Sequence, residues 1–173
     1  MKEKKLKEEI IYQGKILTVK KDLVELENGV KSEREIVIHN GGVGILALTE
    51  KNTVILIKQF RYAFNQEIIE IPAGKLELNE NPEKAALREL QEETGIIAKK
   101  LTSLGVIYPT VGYSTEKIYL YKAEELEFGP KSLDEDEYTE VLEITLLEAF
   151  KLIKMEKIVD AKTIIALFSQ NVV

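Results

Sequence analysis

The sequence predicts a mixed α/β (α+β) fold, and three observations carry that expectation. Segments in which apolar and polar residues alternate, or β-branched residues run together, recur along most of the chain and read as strands. Residues 82–94 have helical periodicity with a start and a stop signal at their ends, and two more helical segments close the chain. With 173 residues, 45% of them hydrophobic, the chain is long enough for one domain with a sizeable core and a small accessory element.

Taken in order, Ile16 to His39 alternates around Glu27-Asn28-Gly29, a strong turn signal, and reads as a β-hairpin. A two-stranded ribbon buries one face at most, so this element needs a partner surface. Gly41-Gly42 breaks the pattern, which divides the chain into an N-terminal β-sheet element at 1–40 and a main domain at 41–173. Strands follow at Val43 to Leu48, Thr53 to Phe60 and Glu67 to Ile71, with a turn at Thr49 to Asn52. After the helix come strands at Leu101 to Tyr108, Lys117 to Ala123 and Val141 to Ile144, the last two separated by the acidic Leu133-Asp134-Glu135-Asp136-Glu137. Helices are expected at Leu146 to Met155 and Ala161 to Phe168, and no internal repeat or low-complexity linker is present.

Composition narrows the chemistry. A net charge of −6 and a pI near 5.1 argue against a general nucleic-acid-binding surface, so a polyanionic substrate must be met by local cations and metal. No apolar run approaches the ~20 residues of a membrane span, and MKEKKLKEEI does not resemble a signal peptide, which points to a cytoplasmic protein with no membrane partner. The chain has no cysteine and a single histidine, which excludes disulfides, thiolate metal sites and a cysteine nucleophile, and all but excludes a Ser-His-Asp triad or a multi-histidine zinc site. Any metal site must be built from oxygen. His39, in the apolar run IVIHNGG, reads as structural.

The stretch GKLELNENPEKAALRELQEETGI from Gly74 to Ile96 is the densest in chemistry. Asn81 suits an N-cap, Pro82 the first helical position and Gly95 the residue past the last turn, so a helix from Pro82 to Thr94 is expected. Ala86, Leu87, Leu90 and Thr94 share one face, which would pack on a core. Glu89, Glu92 and Glu93 lie at i, i+3 and i+4 and crowd an adjacent face, where like charges each cost roughly 0.2–0.5 kcal/mol. Arg88 can pair with Glu92 one turn on, but one guanidinium cannot neutralise three carboxylates, whereas a hard cation with oxygen ligands could. A solvated acidic helix face is the bland alternative for an arbitrary E-x-x-E-E.

The complete pattern is Gly74, five residues, Glu80, seven residues, Arg88-Glu89-Leu90, one residue, Glu92-Glu93, one residue, Gly95-Ile96. It resembles the Nudix box of the Nudix hydrolases at every defined position. The resemblance implies a mixed sheet sandwiched between helices, an α/β/α architecture, carrying out hydrolysis of a nucleoside diphosphate linked to another moiety with Mg²⁺ or Mn²⁺. By the same resemblance Glu89 and Glu93 would be the principal metal ligands, with Glu92 near them, and the backbone carbonyl of Ala73 would be a further ligand. Glu80 and Arg88 would mainly hold the loop and helix together.

Residues outside the box resemble the ADP-ribose pyrophosphatase branch of that family: Gln59-Phe60-Arg61-Tyr62, Glu70-Ile71-Pro72-Ala73-Gly74, Pro109, Gly112-Tyr113-Ser114-Thr115-Glu116, the acidic segment and, near the end, Asp160-Ala161-Lys162-Thr163. The branch implies ADP-ribose as substrate, two or three metal ions, and a homodimer that exchanges the N-terminal sheet. Arg61 could bind phosphate or stack on adenine, or make a surface salt bridge. Arg34 would reach the substrate across the dimer, or pair with Glu33 or Glu35; Gly74 and Gly112 would border the substrate. Phe60, Tyr62, Tyr108 and Tyr113 could stack an adenine, although aromatic residues at strand ends are more often core. Helix carboxylates engaged with metal are poor bases, so a separate carboxylate is useful. Glu135 is assigned base character and Glu137 metal contact, with the reverse assignment open and a solvated acidic loop as the bland alternative. Another nucleoside diphosphate sugar, a dinucleotide, or a non-catalytic module that binds ADP-ribose are the alternative functions.

Overall fold

The computed structural model describes residues 2–132 and 138–171, which form two compact units. The first comprises residues up to Gly41 together with Tyr108–Lys117. Its three-stranded antiparallel sheet has the order β1 (Lys4–Gln13), β2 (Leu17–Glu25), β3 (Lys31–His39). The β2–β3 hairpin pairs without a break from Leu17 opposite His39 to Glu25 opposite Lys31. Its turn is set by Gly29 at φ 80°, with Leu26 N–H donating to Val30 O at 2.9 Å and Val30 N–H to Asn28 Oδ1 at 3.1 Å. Segment 108–117 bonds to β3: Val37 N–H donates to Tyr113 O at 2.7 Å, and Thr115 N–H to Val37 O at 2.9 Å.

Strand β1 is absent from the expectation. Its sequence, KKLKEEIIYQ, is charge-dense and lacks strict alternation, and it pairs with β2 through two register shifts, between Lys5 and Lys7 and between Ile10 and Tyr12. Bulges of this kind interrupt the period of two on which strand recognition rests. All ten β1 residues are exposed.

The second unit, residues 42–107 and those from Ile118 onward, holds a seven-stranded mixed sheet. Its strands are β4 (Gly42–Leu48), β5 (Thr53–Arg61), β6 (Gln66–Glu70), β7 (Ala73–Lys75), β8 (Ile96–Ile107), β9 (Ile118–Phe128) and β10 (Thr139–Thr145). The main order is β10-β5-β4-β9-β8, with β6 on β5 and β7 on β4; β4 and β9 run parallel and the other pairs antiparallel.

Central strand β4 is buried on both faces, which is why GVGILAL reads as a nearly continuous apolar run. Successive side chains serve opposite cores, as the pleat requires. Val43, Ile45 and Ala47 pack with Ala85, Ala86 and Leu90 of α1 (Pro82–Thr94). Leu46 packs instead with Ala149 of α2 (Leu146–Lys154) and with Ala166 and Leu167 of α3 (Ala161–Phe168). The result is the α/β/α layering expected. Among the described residues no helix is long and apolar enough to cross a membrane.

Two details of packing differ from the expectation. In α1 the buried face is Ala85, Ala86, Leu90 and Glu93, while Leu87 is 37% exposed, so the core stripe is rotated toward the carboxylates. Phe60, Tyr62, Tyr108 and Tyr113 are all more than half exposed and belong to neither core.

Leu90 is fully buried where α1 meets the sheet. Leu90→Ala is expected to lower the unfolding free energy by about 2–5 kcal/mol in urea titration, the range for an apolar side chain whose cavity cannot collapse.

Candidate active site

Helix α1 begins and ends as its sequence dictates. Asn81 Oδ1 accepts from Glu83 N–H at 3.0 Å and Lys84 N–H at 3.1 Å, Pro82 occupies the first turn, and Gly95, at φ 72°, donates its N–H to Gln91 O at 2.8 Å. A Cβ on Gly95 would also come within 2.8 Å of Gly129 O. A helix fixed at both ends holds its side chains in a defined direction.

The carboxylates of this helix meet the backbone of β7. Glu93, 4% exposed, accepts a hydrogen bond from Ala73 N–H at 2.9 Å. Glu89 lies over the Cα of Gly74 so closely that a Cβ there would fall 1.9 Å from Glu89 Cδ. Any larger residue at position 74 would therefore push the Glu89 carboxylate out of this place. The turn before β7 is held in turn by β4, since Ile45 N–H donates to Pro72 O at 2.8 Å.

Arg88 organises the acidic residues around it. Its Nε and Nη2 donate to the two oxygens of Glu80 at 3.1 and 3.2 Å, and its Nη1 lies 2.8 Å from Glu92 Oε2 and 3.0 Å from Glu89 Oε1. Glu80 also accepts from Glu77 N–H at 3.0 Å. Arg88 thus links the loop before α1 to the helix. Its hydrogen bonds, with that from Glu77, hold the Glu80 carboxyl below the usual carboxylate range. Burial opposes the Arg88 charge, but the hydrogen bonds it donates to Glu80 and the charges of Glu89 and Glu92 outweigh it and strengthen the guanidinium's hold on its proton.

Arg61, at the end of β5, is not a surface pair in solvent. Its Nε and Nη2 donate to both oxygens of Glu70 at 2.6 and 2.9 Å, a bidentate pair on a carboxylate that is only 2% exposed. Lys162 Nζ of α3 reaches the same carboxylate and lies 3.0 Å from Asp160 Oδ1. Burial would raise the Glu70 carboxyl, but Arg61 and Lys162 outweigh it and leave it below its usual range. The Glu70 hydrogen bond strengthens the Arg61 charge most, and Glu93 adds to it through space. Glu70 and Lys162 had no assigned role in the sequence. The available signal was one charged residue in the apolar strand end IIEIP and a lysine two residues after an aspartate at the head of the apolar DAKTIIALF.

The remaining candidates lie elsewhere. In the first unit Arg34 donates to both oxygens of Glu3, at 3.0 and 2.7 Å, and to Ser32 Oγ and Glu33 O. Its carboxylate partner is thus Glu3, brought close by the unforeseen β1, and neither Glu33 nor Glu35. Arg34 lines a cleft of about 790 Å³ with Ile11, Val19, Lys20, Gly112 and Tyr113. His39 accepts from Gly41 N–H at 3.0 Å, with Glu116 3.6 Å away. Glu135 and Glu137 lie outside the described residues. On either side of them, Ser132 N–H donates to Glu92 O and Thr139 Oγ1 to Glu93 O, each at 3.2 Å.

The donor set suits a hard divalent cation, since Glu89, Glu92, Glu93 and the Ala73–Gly74 backbone present only oxygen as ligand atoms. Among the described residues no group of three or more acidic or histidine side chains converges as a ready cation cage, so backbone, water or phosphate oxygens would complete the coordination.

The sequence matches the NUDIX domain family over residues 38–167, and a second family, the nucleoside diphosphate sugar hydrolase N-terminal domain, over residues 3–37. The chain belongs to the Nudix hydrolases. Nudix hydrolases generally need a divalent metal, in keeping with the oxygen-rich site. Among similar proteins, an ADP-ribose pyrophosphatase of Bacillus subtilis is 46% identical over 96% of this chain and 91% of its own. A methanol dehydrogenase activator of Bacillus methanolicus is 43% identical over 95% of this chain and 90% of its own. A GDP-mannose pyrophosphatase of Escherichia coli K12 is 34% identical over 80% of this chain and 77% of its own. A solved structure described as an ADP compounds hydrolase superposes with a TM-score of 0.89 at 25% identity, covering 99% of this chain and 93% of its own.

The Arg88 cluster predicts a pH signature. Because the folded-state pKa of Glu80 is lowered, its pairing stabilises the fold fully above its ordinary value of 4.5 and is lost as pH falls from there through the lowered value. Arg88→Ala is expected to cost roughly 1–3 kcal/mol at neutral pH. In urea titrations of the two proteins, that difference narrows as the pH is taken below 4.5.

Proposed function

We propose that this Nudix hydrolase cleaves the pyrophosphate bond of ADP-ribose to give AMP and ribose 5-phosphate, using two or three Mg²⁺ ions, with Mn²⁺ able to replace them. One observation carries the proposal: the carboxylate helix, with Glu89 on Gly74 and Glu93 on Ala73, stands in a chain that aligns over almost its whole length with an ADP-ribose pyrophosphatase. Glu89, Glu93 and the Ala73 carbonyl would hold the metal, with Glu92 beside them. When bound, the metal neutralises charge on the phosphoryl oxygens and lowers the pKa of water.

The protein's own groups supply the rest. Arg88 offsets part of the repulsion between Glu89 and Glu92 and ties them to Glu80. Gly74 leaves room for the Glu89 carboxylate, and Gly95 ends the helix so that its last carboxylate, Glu93, stays on the β7 backbone. Arg61 presents a guanidinium to phosphate or to the adenine face. Glu135 or Glu137 orients or deprotonates the attacking water. The water oxygen bonds to one phosphorus, its proton passes to that carboxylate, and the bridging P–O bond breaks with its electron pair leaving on the departing phosphate.

Homodimer formation through exchange of residues 1–40 is part of the proposal, with Arg34 reaching the partner's substrate and Gly112 bordering a substrate. In support, Ile10, Ile11 and Tyr12 of β1 are each more than half exposed, an apolar strip on a sheet that needs a covering surface. A GDP-mannose substrate is the second reading, favoured by the relatives of that name.

Glu93→Gln keeps an amide oxygen for the Ala73 N–H but loses the charge, so the fold is expected to hold while kcat falls on the order of 100-fold. A folded E93Q protein with normal turnover would overturn the metal assignment. In a panel of nucleoside diphosphate sugars assayed with Mg²⁺ and Mn²⁺, ADP-ribose is expected to show the highest kcat/KM; a higher value for GDP-mannose would transfer the function to the second reading.

A further inference from the structure

The segment Asp160-Ala161-Lys162-Thr163 has no role in the reaction as outlined, yet the structure buries Lys162 and Thr163 against two parts of the site. Asp160 caps α3: its Oδ2 accepts from Thr163 N–H at 3.0 Å and from Thr163 Oγ1 at 2.6 Å, while its Oδ1 lies 3.0 Å from Lys162 Nζ. Lys162, 9% exposed, then reaches the Glu70 carboxylate that holds Arg61. Thr163, fully buried, accepts Ile71 N–H at 2.8 Å.

These bonds run in two directions. Toward the substrate side, Lys162 and Glu70 determine where Arg61 stands: two of its nitrogens are committed to Glu70, and at 40% side-chain exposure the guanidinium remains reachable by a ligand. Toward the metal side, Ile71 and Ala73, consecutive N–H donors because Pro72 between them has none, donate to Thr163 on α3 and to Glu93 on α1. The turn that carries Ala73 is thus hydrogen-bonded to both helices.

Arg61, Lys162, Glu70 and Asp160 sum to zero charge, so the cluster is neutral as built. A buried ionic cluster is a poor source of stability compared with apolar packing, and a fully bonded one fixes orientation. We propose that Glu70, Lys162 and Thr163 are positioning residues, in which Lys162 and Glu70 orient Arg61 toward the substrate and Thr163 sets the Ile71–Ala73 backbone that receives the metal. The assignment rests on the ADP-ribose reading for its substrate arm only.

Lys162→Met removes one cation and leaves an unbalanced negative charge beside Arg61. It is expected to raise KM for ADP-ribose about tenfold while kcat stays within about threefold. Thr163→Val removes the acceptor of Ile71 N–H and is expected to weaken Mn²⁺ binding about tenfold, read by electron paramagnetic resonance of the free ion without substrate, the scale seen when an outer-shell partner is lost. Lys162→Arg and Thr163→Ser should recover most of each loss. If Met or Val prevents folding, Lys162→Gln and Thr163→Ala are read by the same criteria. Variants that lower the melting temperature but keep KM, kcat and Mn²⁺ affinity at wild-type values would reduce the cluster to a structural one and overturn the proposal. If the wild type itself does not turn over ADP-ribose, the substrate reading fails while the Mn²⁺ comparison still decides the role of Thr163.

Discussion

A single guanidinium shared among three carboxylates is the constraint on which the site depends. Without Arg88, Glu80, Glu89 and Glu92 would repel each other on one side of a short helix and its preceding loop. With it, the loop is tied to the helix and Glu89 is kept beside Gly74, where a Cβ would force its carboxylate to move. Electrostatics and sterics here act on the same few atoms. Substitutions at Gly74 and at Arg88 therefore disturb the same carboxylate by different routes.

The second dependency is on the central strand. Because β4 sends alternate side chains into two cores, the carboxylate helix and the C-terminal helices are braced against one strand. The β6–β7 turn lies between those braces, with Ile71 bonded to one helix and Ala73 to the other. The site is consequently built on rigid elements, as reactions that depend on oriented oxygen ligands require.

Legibility in the sequence followed the range of the interactions. Helix α1 and helix α3 have the bounds expected, since capping residues and periodicity lie within a few positions of what they specify. The β2–β3 hairpin was legible for the same reason. Strand β1 was not, because its bulges and charges hide the alternation, and β7, at three residues, is too short to carry a pattern. Within the site, the i,i+4 pair of Arg88 and Glu92 could be read from helix geometry. The contacts of Glu70 with Lys162, 92 residues apart, and of Arg34 with Glu3, 31 apart, could not, since only the folded chain brings them together. The exposure of Leu87 shows the limit of a helical wheel, which gives relative angles but not which angle faces the sheet.

The irregular pairing of β1 bears on how chains meet one another. A long, exposed edge carrying Ile10, Ile11 and Tyr12 is the kind of strand that recruits further copies into open-ended stacks. Two bulges break its ladder, and Lys4, Lys5 and Lys7 occupy its first half, so a regular run of edge hydrogen bonds is denied to an incoming strand. The strand can offer its apolar side chains to a neighbour while its irregular backbone disfavours fibrous growth.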